Sequence, residues 1–454
     1  MALQRVEGRE QPYWALGIFK IRIPLIHYRW EWAEALQALI MCATCLGAIP
    51  ILTEVLGVPF EVALTMVIIN SILYNLHSFF GDPVVPGWIT PAIPLTTAYL
   101  TQYQMGPERI KALIALQLLV GVFFLVMGFT GLAKRVIGWV PDSIKAAILL
   151  GAGLAAIIGE VGVGGRFEQY PYTITIGVFI AFYMLFSLRF KVQRQGSKLL
   201  NTFGQYGMLP ALVIALIIGP LFKELPIPQI EWKIFVPQFG TLIRELSVFG
   251  IGFPSLNYFI AAVPMLFAAY IIAFGDLVTS EALITEADEV RKDEKIDFNA
   301  DRSNLLSGIR NIIEGLINPY VPLCGPLWAA VTAAVAERYK EGRQAMDSIF
   351  GGVGTFRVMS LVGVILMPIV SLLQPALPIA LSLTLLVQGY VCTRIAMDIA
   401  QTTEQKGIAG VAGAVLAIKG AAWGLAVGII LHLLIGSRKG KAKVEAEGTV
   451  SASN

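Results

Sequence analysis

Ionisable side chains inside long apolar runs are the residues of this sequence that could do chemistry. Asp276 lies in the run FGDLVTSEALITE, with Ser280 one helical turn later and Glu281 beside it. A charged group within a bilayer is costly and is usually functional. We therefore expect Asp276 to be a coupling or gating carboxylate and Glu281 to be a second, more solvated candidate. The alternative for Asp276 is a structural ion pair or hydrogen bond to a neighbouring helix.

A second polar group lies farther along the chain. Arg310 and Asn311 are adjacent, and Glu314 follows about one helical turn later. This spacing favours an ion pair between Arg310 and Glu314 on one helix face. Arg357 has no local partner, so an acid on another helix is its expected partner, and the sequence does not assign it to a site.

Two broken segments must position these groups. The stretch Gly81–Thr97, GDPVVPGWITPAIPLTT, holds four prolines and two glycines between apolar runs, so it cannot be an ordinary spanning helix. Asn318-Pro319-Tyr320-Val321-Pro322 repeats the pattern of Asp82–Pro86 at an offset of 236 residues, and Gly153 and Gly389 keep that offset. Two halves with one interrupted helix each indicate an inverted-repeat transporter, with coincidence as the alternative.

Broken helices at membrane depth create a pocket of defined charge. Two half-helices that begin near the midplane present free N–H groups and positive dipole ends, which favour a negative group. Trp88 offers a stacking face, or else serves as an interface anchor. The candidate substrate-binding residues at the two breaks are Gly87, Trp88, Ile89, Thr90, Leu323, Cys324 and Gly325.

Composition places the chain in the membrane. Of its 454 residues, 56% are hydrophobic and 14% are charged, which is typical of a polytopic membrane protein and predicts no nucleic-acid partner. No nucleophile and base pair emerges, no metal site is predicted and no cofactor is expected, so we predict that the chain is not an enzyme. The cysteines are expected to be small packing residues: Cys42, Cys45, Cys324 and Cys392.

The length of a bilayer core divides the apolar sequence into fourteen predicted spans. The first seven occupy 33–56, 61–80, 89–103, 108–132, 143–163, 171–189 and 205–222. The second seven occupy 258–284, 303–317, 323–337, 347–370, 375–397, 407–418 and 421–436. We therefore predict an all-α polytopic membrane protein with inverted repeats at 33–222 and 258–436, a linker at 223–257, and short extended segments that break the third and tenth spans.

The ends of the chain are expected to be cytoplasmic. Residues 1–32 show no cleavable signal, because Lys20, Arg22 and Pro24 interrupt the first apolar run, and this segment is predicted to lie at the membrane interface. Lys and Arg concentrate in the connections that are cytoplasmic if the N-terminus is inside, and the tail 437–454 is also basic. We predict an integral protein of the inner or plasma membrane.

These features resemble the seven-plus-seven inverted-repeat fold of uracil and xanthine permeases (nucleobase cation symporters), bicarbonate transporters and sulfate permeases. In those families the third and tenth spans begin as short extended segments followed by half-helices, as Gly81–Thr97 and Asn318–Ala336 are predicted to do. Leu36-Gln37 resembles the LQH run of the nucleobase family, and Gly275-Asp276 resembles the Gly-Asp of its ETxGD run. The resemblance implies a homodimer.

Three departures from the nucleobase pattern bear on the substrate. Ala38 replaces the family's His, Ile272 replaces its substrate-binding Glu, and the tenth-span Glu falls near Pro326 or Leu327. Without these carboxylates, two half-helix N-termini suit an acidic solute better than a neutral base. We expect a secondary active transporter of a small anionic or weakly acidic organic solute, coupled to H⁺ or Na⁺. A nucleobase permease with altered ligands and a channel-like anion conduit are the alternatives.

Overall fold

Helices form most of the chain, and two small sheets interrupt them. The computed structural model describes residues 3, 5–197, 200 and 208–435. The strands are β1 (Trp14–Leu16), β2 (Phe19–Ile21), β3 (Gly87–Trp88) and β4 (Cys324–Gly325). The helices up to residue 221 are α1 (Trp32–Leu46), α2 (Ala48–Leu56), α3 (Phe60–Phe79), α4 (Ile93–Leu100), α5 (Pro107–Thr130), α6 (Ala133–Trp139), α7 (Asp142–Val161), α8 (Arg166–Gln169), α9 (Pro171–Phe186), α10 (Leu188–Gln195) and α11 (Leu209–Leu221). The later helices are α12 (Phe239–Glu245), α13 (Val248–Ile251), α14 (Leu256–Val290), α15 (Ala300–Ile317), α16 (Ala329–Lys340), α17 (Ile349–Ile365), α18 (Met367–Leu373), α19 (Leu377–Ile399), α20 (Thr403–Lys419) and α21 (Ala421–Ile435).

Several helices are long and apolar enough to cross a bilayer. Among the described residues, six stretches meet both conditions, and a seventh is the α9–α10 pair, which bends by 64°. The six are Trp32–Leu56, Phe60–Phe79, Pro107–Thr130, Asp142–Gln169, Leu256–Val290 and Met367–Ile399. Shorter apolar helices cover Pro210–Leu221, Ile349–Ile365 and Ala421–Ile435. The chain is therefore an integral membrane protein, and the count of fourteen spans stays a prediction.

Each predicted span overlaps at least one helix among the described residues. The two short predicted spans at the end are separate helices, α20 and α21, because Gly420 between them adopts a φ of +89°. The third predicted span contains a short 3₁₀ turn, Thr90–Ala92, followed by α4. The eight residues of α4 rise only about 12 Å, which is less than half the thickness of a bilayer core. The first residues of the span at 205–222 and the whole tail 437–454 lie outside the described residues.

Helices from the two halves pack against each other in matching pairs. Helix α5 lies along α15 and α14, while α3 and α1 lie along α17. Helix α7 packs between α19 and α20. Small residues permit these contacts: a Cβ on Gly308 of α15 would lie 2.9 Å from the carbonyl oxygen of Gly121 on α5. The two halves thus interleave around one core.

The N-terminal segment forms a hairpin that docks on the end of α3. The backbone N–H groups of Lys20 and Arg22 donate to the carbonyl oxygens of Phe80 and Phe79, at 3.1 and 2.8 Å. Gly81 has a φ of +93°, and a Cβ there would lie 2.7 Å from the carbonyl oxygen of Lys20. The hairpin β1–β2 is thereby held at the entrance to the first break, and its place at the membrane interface stays a prediction.

Candidate functional site

The two breaks meet and pair as strands. In the antiparallel pair β3–β4, Gly87 lies opposite Gly325 and Trp88 lies opposite Cys324. The pairing is extended by Ile89 N–H, which donates to the carbonyl oxygen of Leu323 at 2.9 Å. At the other end, Trp328 N–H donates to the carbonyl oxygen of Val85 at 2.6 Å. Two segments with matching prolines, far apart in sequence, therefore form one backbone structure.

Glycine is required on both sides of this pair. A Cβ on Gly87 would lie 2.5 Å from the carbonyl oxygen of Leu327, and one on Gly325 would lie 2.9 Å from the backbone nitrogen of Ile89. Both neighbours are backbone atoms, which cannot rotate away as a side chain can. These two glycines therefore allow the two breaks to approach each other.

Each break leads into a half-helix. The first continues through the 3₁₀ turn at Thr90 into α4, and the second reaches α16 after Trp328. Residues 81–89 and 321–327 are buried, whereas Thr90 is half-buried and Ala329 and Ala330 are exposed. Because the first turn of a helix has N–H groups without intrahelical partners, the exposed end of α16 offers donors with a partial positive charge.

Helix α15 supports the paired breaks from behind. Arg310 donates from Nη1 to the carbonyl oxygen of Gly325 at 3.0 Å and from Nη2 to that of Gly87 at 3.3 Å. Asn311 accepts the N–H of Cys324 at 3.1 Å and donates to its carbonyl oxygen at 3.0 Å. One arginine thus binds both breaks, and its partners are the negative ends of two backbone dipoles.

Glu314 has its own partners, so the predicted ion pair with Arg310 is not formed. Its carboxylate accepts hydrogen bonds from the amide of Asn70, from Gln117 Nε2 at 3.3 Å and from the Cys324 thiol at 3.0 Å. All four side chains are buried. The prediction was wrong because α3 and α5 bring amide donors to Glu314, while the breaks bring carbonyl acceptors to Arg310.

A buried histidine network adjoins the site. His77 Nδ1 and Asp82 Oδ2 lie 2.8 Å apart, and Ser303 Oγ donates to the same oxygen at 2.5 Å. His77 Nε2 lies 3.3 Å from Arg310 Nη1. Sequence reasoning placed neither His77 nor Ser303 here, although the position of Asp82 at the start of the break was a usable signal. No group of three or more His, Cys, Asp or Glu within the described ranges could hold a metal ion.

The apolar candidates are buried. Trp88 is buried, donates from Nε1 to Asn70 Oδ1 at 3.3 Å and lies 6.1 Å from the ring of Tyr320. Its place in the interior does not fit the alternative of an interface anchor. Ile89, Ile272 and Leu323 are also buried. Trp88, Ile89 and Leu323 belong to the paired breaks, Ile272 lies on α14, and Thr90 is half-buried.

The two candidate coupling acids lie in different surroundings. Asp276 is half-buried on α14, and Cys392 of α19 is a neighbour of its carboxylate. Among the described ion pairs, none involves Asp276. Glu281 is exposed and lies 3.4 Å from Lys134 Nζ in an ion pair. Helix α14 packs against α16, so Asp276 belongs to an element that contacts the second half-helix, whereas Glu281 lies at the surface.

Comparisons with known proteins give the fold. No protein-family model matches the chain, and no curated protein matches it. Among solved structures, it is similar to the transmembrane domain of a cyanobacterium bicarbonate transporter, BicA, with a TM-score of 0.50 and 14% identity, over 87% of this chain and 96% of that one.

A second group of similar structures comes from another transporter. The murine Slc26a9 anion transporter, in its inward-facing state, gives a TM-score of 0.53 and 13% identity, over 89% of this chain and 67% of that one. A further structure of SLC26A9 gives 0.52 and 14%, over 88% of this chain and 64% of that one. At these identities the shared property is the fold. The predicted resemblance is confirmed on its anion-transporter side, and these neighbours are transporters, not enzymes.

Proposed function

We propose that this chain is a secondary active transporter that carries a small anionic or weakly acidic organic solute across the membrane by alternating access. The observation that carries the proposal is the pairing of Gly87 with Gly325, because it brings the starts of two half-helices to one place. Helix N-termini attract anions through their free N–H groups and dipoles. Two of them together favour an acidic solute.

The charge around the breaks supports an anion. The carbonyl oxygens of Gly87 and Gly325 point to Arg310, so its positive charge offsets their partial negative charge. The fold shared with a bicarbonate transporter and an anion transporter agrees with this sign. A nucleobase permease is less favoured, because Ile272 and Leu327 are apolar and buried where carboxylates would bind ring N–H groups.

The residues of the proposed site divide into two roles. Gly87, Ile89, Leu323, Cys324 and Gly325 are proposed to act through backbone geometry. The remaining substrate-binding candidates are Trp88, Thr90, Ile272 and Asp276. The proposed repeats occupy 33–222 and 258–436, and a linker at 223–257 joins them. Movement of one repeat against the other would open the site to each side of the membrane in turn.

Coupling and assembly complete the proposal. Asp276 is proposed to couple transport to H⁺ or Na⁺, because it is a half-buried carboxylate without an ion-pair partner among the described residues. Glu281 is retained as a secondary candidate. We further propose a homodimer in the inner or plasma membrane with both termini cytoplasmic.

The test is transport by the purified protein in proteoliposomes. Labelled acetate, bicarbonate, nitrate, sulfate, dicarboxylates, uracil and xanthine would be measured by counterflow and under imposed H⁺ or Na⁺ gradients, with protein-free liposomes as the control. Saturable anion counterflow is the expected result. Unitary currents would replace the carrier by a channel, and transport of nucleobases without any anion would overturn the anionic substrate.

A further inference from the structure

Arg357 is a buried cation with unused hydrogen-bond donors. It lies on α17 with no exposed surface, and none of its three guanidinium nitrogens donates to an oxygen or nitrogen atom of the described residues. No described ion pair involves it. The thiol of Cys45, a weak acceptor, is a polar neighbour. Because an unpaired buried charge is strongly unfavourable, this site calls for a negative partner.

Aromatic rings surround the guanidinium of Arg357. Its Cζ lies 4.0 Å from the ring centroid of Tyr74, 5.2 Å from that of Trp328 and 5.8 Å from that of Phe356. Cation–π contacts stabilise the charge through the flat face of the group. They do not use the N–H donors, which point outward in the plane of the guanidinium. The rings therefore hold Arg357 and leave its donors for another group.

Arg357 lies beside the start of the second half-helix. Trp328, which it contacts, is the residue immediately before α16, and the exposed Ala329 and Ala330 follow. The ring of Tyr74 also contacts Arg310, at 4.5 Å. Two arginines thus share one tyrosine, but Arg310 donates to the carbonyl oxygens of the breaks, whereas Arg357 donates to no oxygen or nitrogen atom of the described residues.

We propose that Arg357 binds the negative group of the transported solute and that this group is an oxyanion. A guanidinium presents two parallel N–H donors, which match two oxygens of a carboxylate or an inorganic oxyanion and do not match a halide. The helix N-terminus of α16, which begins directly after Trp328, adds backbone donors nearby. The inference rests on the proposed function and adds the chemical class of the substrate and the residue that selects it.

Binding to the purified full-length protein tests this assignment. Dissociation constants for acetate, bicarbonate, nitrate, sulfate and chloride would be measured by thermal shift and calorimetry for the wild type, Arg357→Gln and Arg357→Lys. We expect Arg357→Gln to weaken oxyanion binding by at least about tenfold. Arg357→Lys keeps the charge without the paired donors, so it should bind oxyanions no better than chloride. Comparison of the dissociation constants of acetate and sulfate distinguishes a carboxylate substrate from an inorganic oxyanion.

Arg109→Gln is the matched control. Arg109 is also buried, but its donors bind the carbonyl oxygens of Val55 and Tyr103, at 2.8 and 2.9 Å. Its replacement should lower thermal stability and leave oxyanion affinity unchanged. If Arg357→Gln does not fold, Arg357→Lys decides the question through its oxyanion preference.

The outcomes separate this inference from the proposed function. If the wild type binds and transports no anion of the panel, the proposed function fails. If the wild type binds oxyanions and both Arg357 variants bind them with wild-type constants and preference, the function stands and the assignment of Arg357 is overturned.

Discussion

Gly153 and Gly389 lie 236 residues apart and meet backbone to backbone. A Cβ on Gly153 of α7 would lie 2.8 Å from the carbonyl oxygen of Gly389 of α19, and a Cβ on Gly389 would lie 3.0 Å from that of Gly153. Each glycine therefore occupies the same position relative to the other. The offset equals the one that relates Asp82 to Asn318, and the proposed repeats would make the two glycines corresponding residues.

This contact predicts the effect of one methyl group. Gly153→Ala places a Cβ against a backbone oxygen, which must move, so we expect a loss of about 1–3 kcal/mol of stability. Thermal unfolding of the detergent-solubilised protein measures it. Gly159→Ala on the same helix is the control, because a Cβ there meets nothing within 4 Å. Equal unfolding temperatures for the two variants would show that α7 and α19 are not tightly packed.

A methyl group at the first break should have a functional effect as well. Gly87→Ala would force Leu327 away and separate β3 from β4, so we expect loss of solute binding together with a lower unfolding temperature. Binding of a transported anion by thermal shift is the measurement. Gly407→Ala, where a Cβ has open space, should match the wild type. Normal affinity in Gly87→Ala would place the pocket elsewhere.

Local sequence patterns predicted the parts of the site that local chemistry determines. The prolines at 83, 86, 319 and 322 exclude continuous helices, and glycines 87 and 325 follow them at nearly the same positions. The repeat offset then indicated that two such breaks exist. Helix positions followed from apolar length. These features depend on residues that are close together in the chain.

The partners across the core could not be predicted in this way. Glu314 binds Asn70 and Gln117, which are 244 and 197 residues away. The helical spacing of Arg310 and Glu314 favoured a local ion pair, but both side chains are buried, and each is bound by partners on other elements instead. Nothing in the sequence near His77 or Tyr74 indicated that each would contact an arginine of the second half.

Replacement of Glu314 tests this buried network. Glu314→Gln keeps the shape but replaces one acceptor oxygen with a donor, which then faces either the donor of Asn70 or the donors of Gln117 and Cys324. We expect a loss of about 1–3 kcal/mol in stability, since a buried donor is then left unsatisfied. The exposed Glu281→Gln should change stability by less than about 0.5 kcal/mol. Thermal unfolding of both variants measures these changes in stability. An unfolding temperature of Glu314→Gln equal to that of the wild type would mean that the network does not stabilise the breaks.

The contribution of the connection after α14 to the stability of the fold should depend on pH. Arg291 donates to Asp293 at 2.6 Å and Arg5 donates at 2.7 Å, and the hydrogen bond from Arg291 lowers the pKa of Asp293 to about 2. Because the folded pKa lies below the ordinary value near 3.8, Asp293 stabilises the fold above about pH 4. This contribution is lost as the pH falls through 2.

The variant Asp293→Asn isolates that contribution. At pH 6 this variant should unfold at a lower temperature, with a free energy of unfolding reduced by on the order of 2 kcal/mol. Its stability should also depend less on pH between 4 and 2 than that of the wild type. Asp398→Asn, an exposed carboxylate, is the control. Unfolding curves from pH 2 to 6 measure the effect, and parallel curves for Asp293→Asn and the wild type would contradict it.

Asp276 tests the coupling of solute to ion. Its helix contacts α16, and Cys392 of α19 is its neighbour, so a proton or Na⁺ at this carboxylate would change the charge between elements that must move during transport. Asp276→Asn removes that charge and keeps the shape. We therefore expect gradient-driven accumulation to be lost while counterflow exchange continues, because exchange needs no net movement of the ion. Glu281→Gln should keep both activities, since Glu281 pairs with Lys134 at the surface. Full accumulation by Asp276→Asn would move the coupling site to another carboxylate, and the buried Glu314 would then be the next to replace.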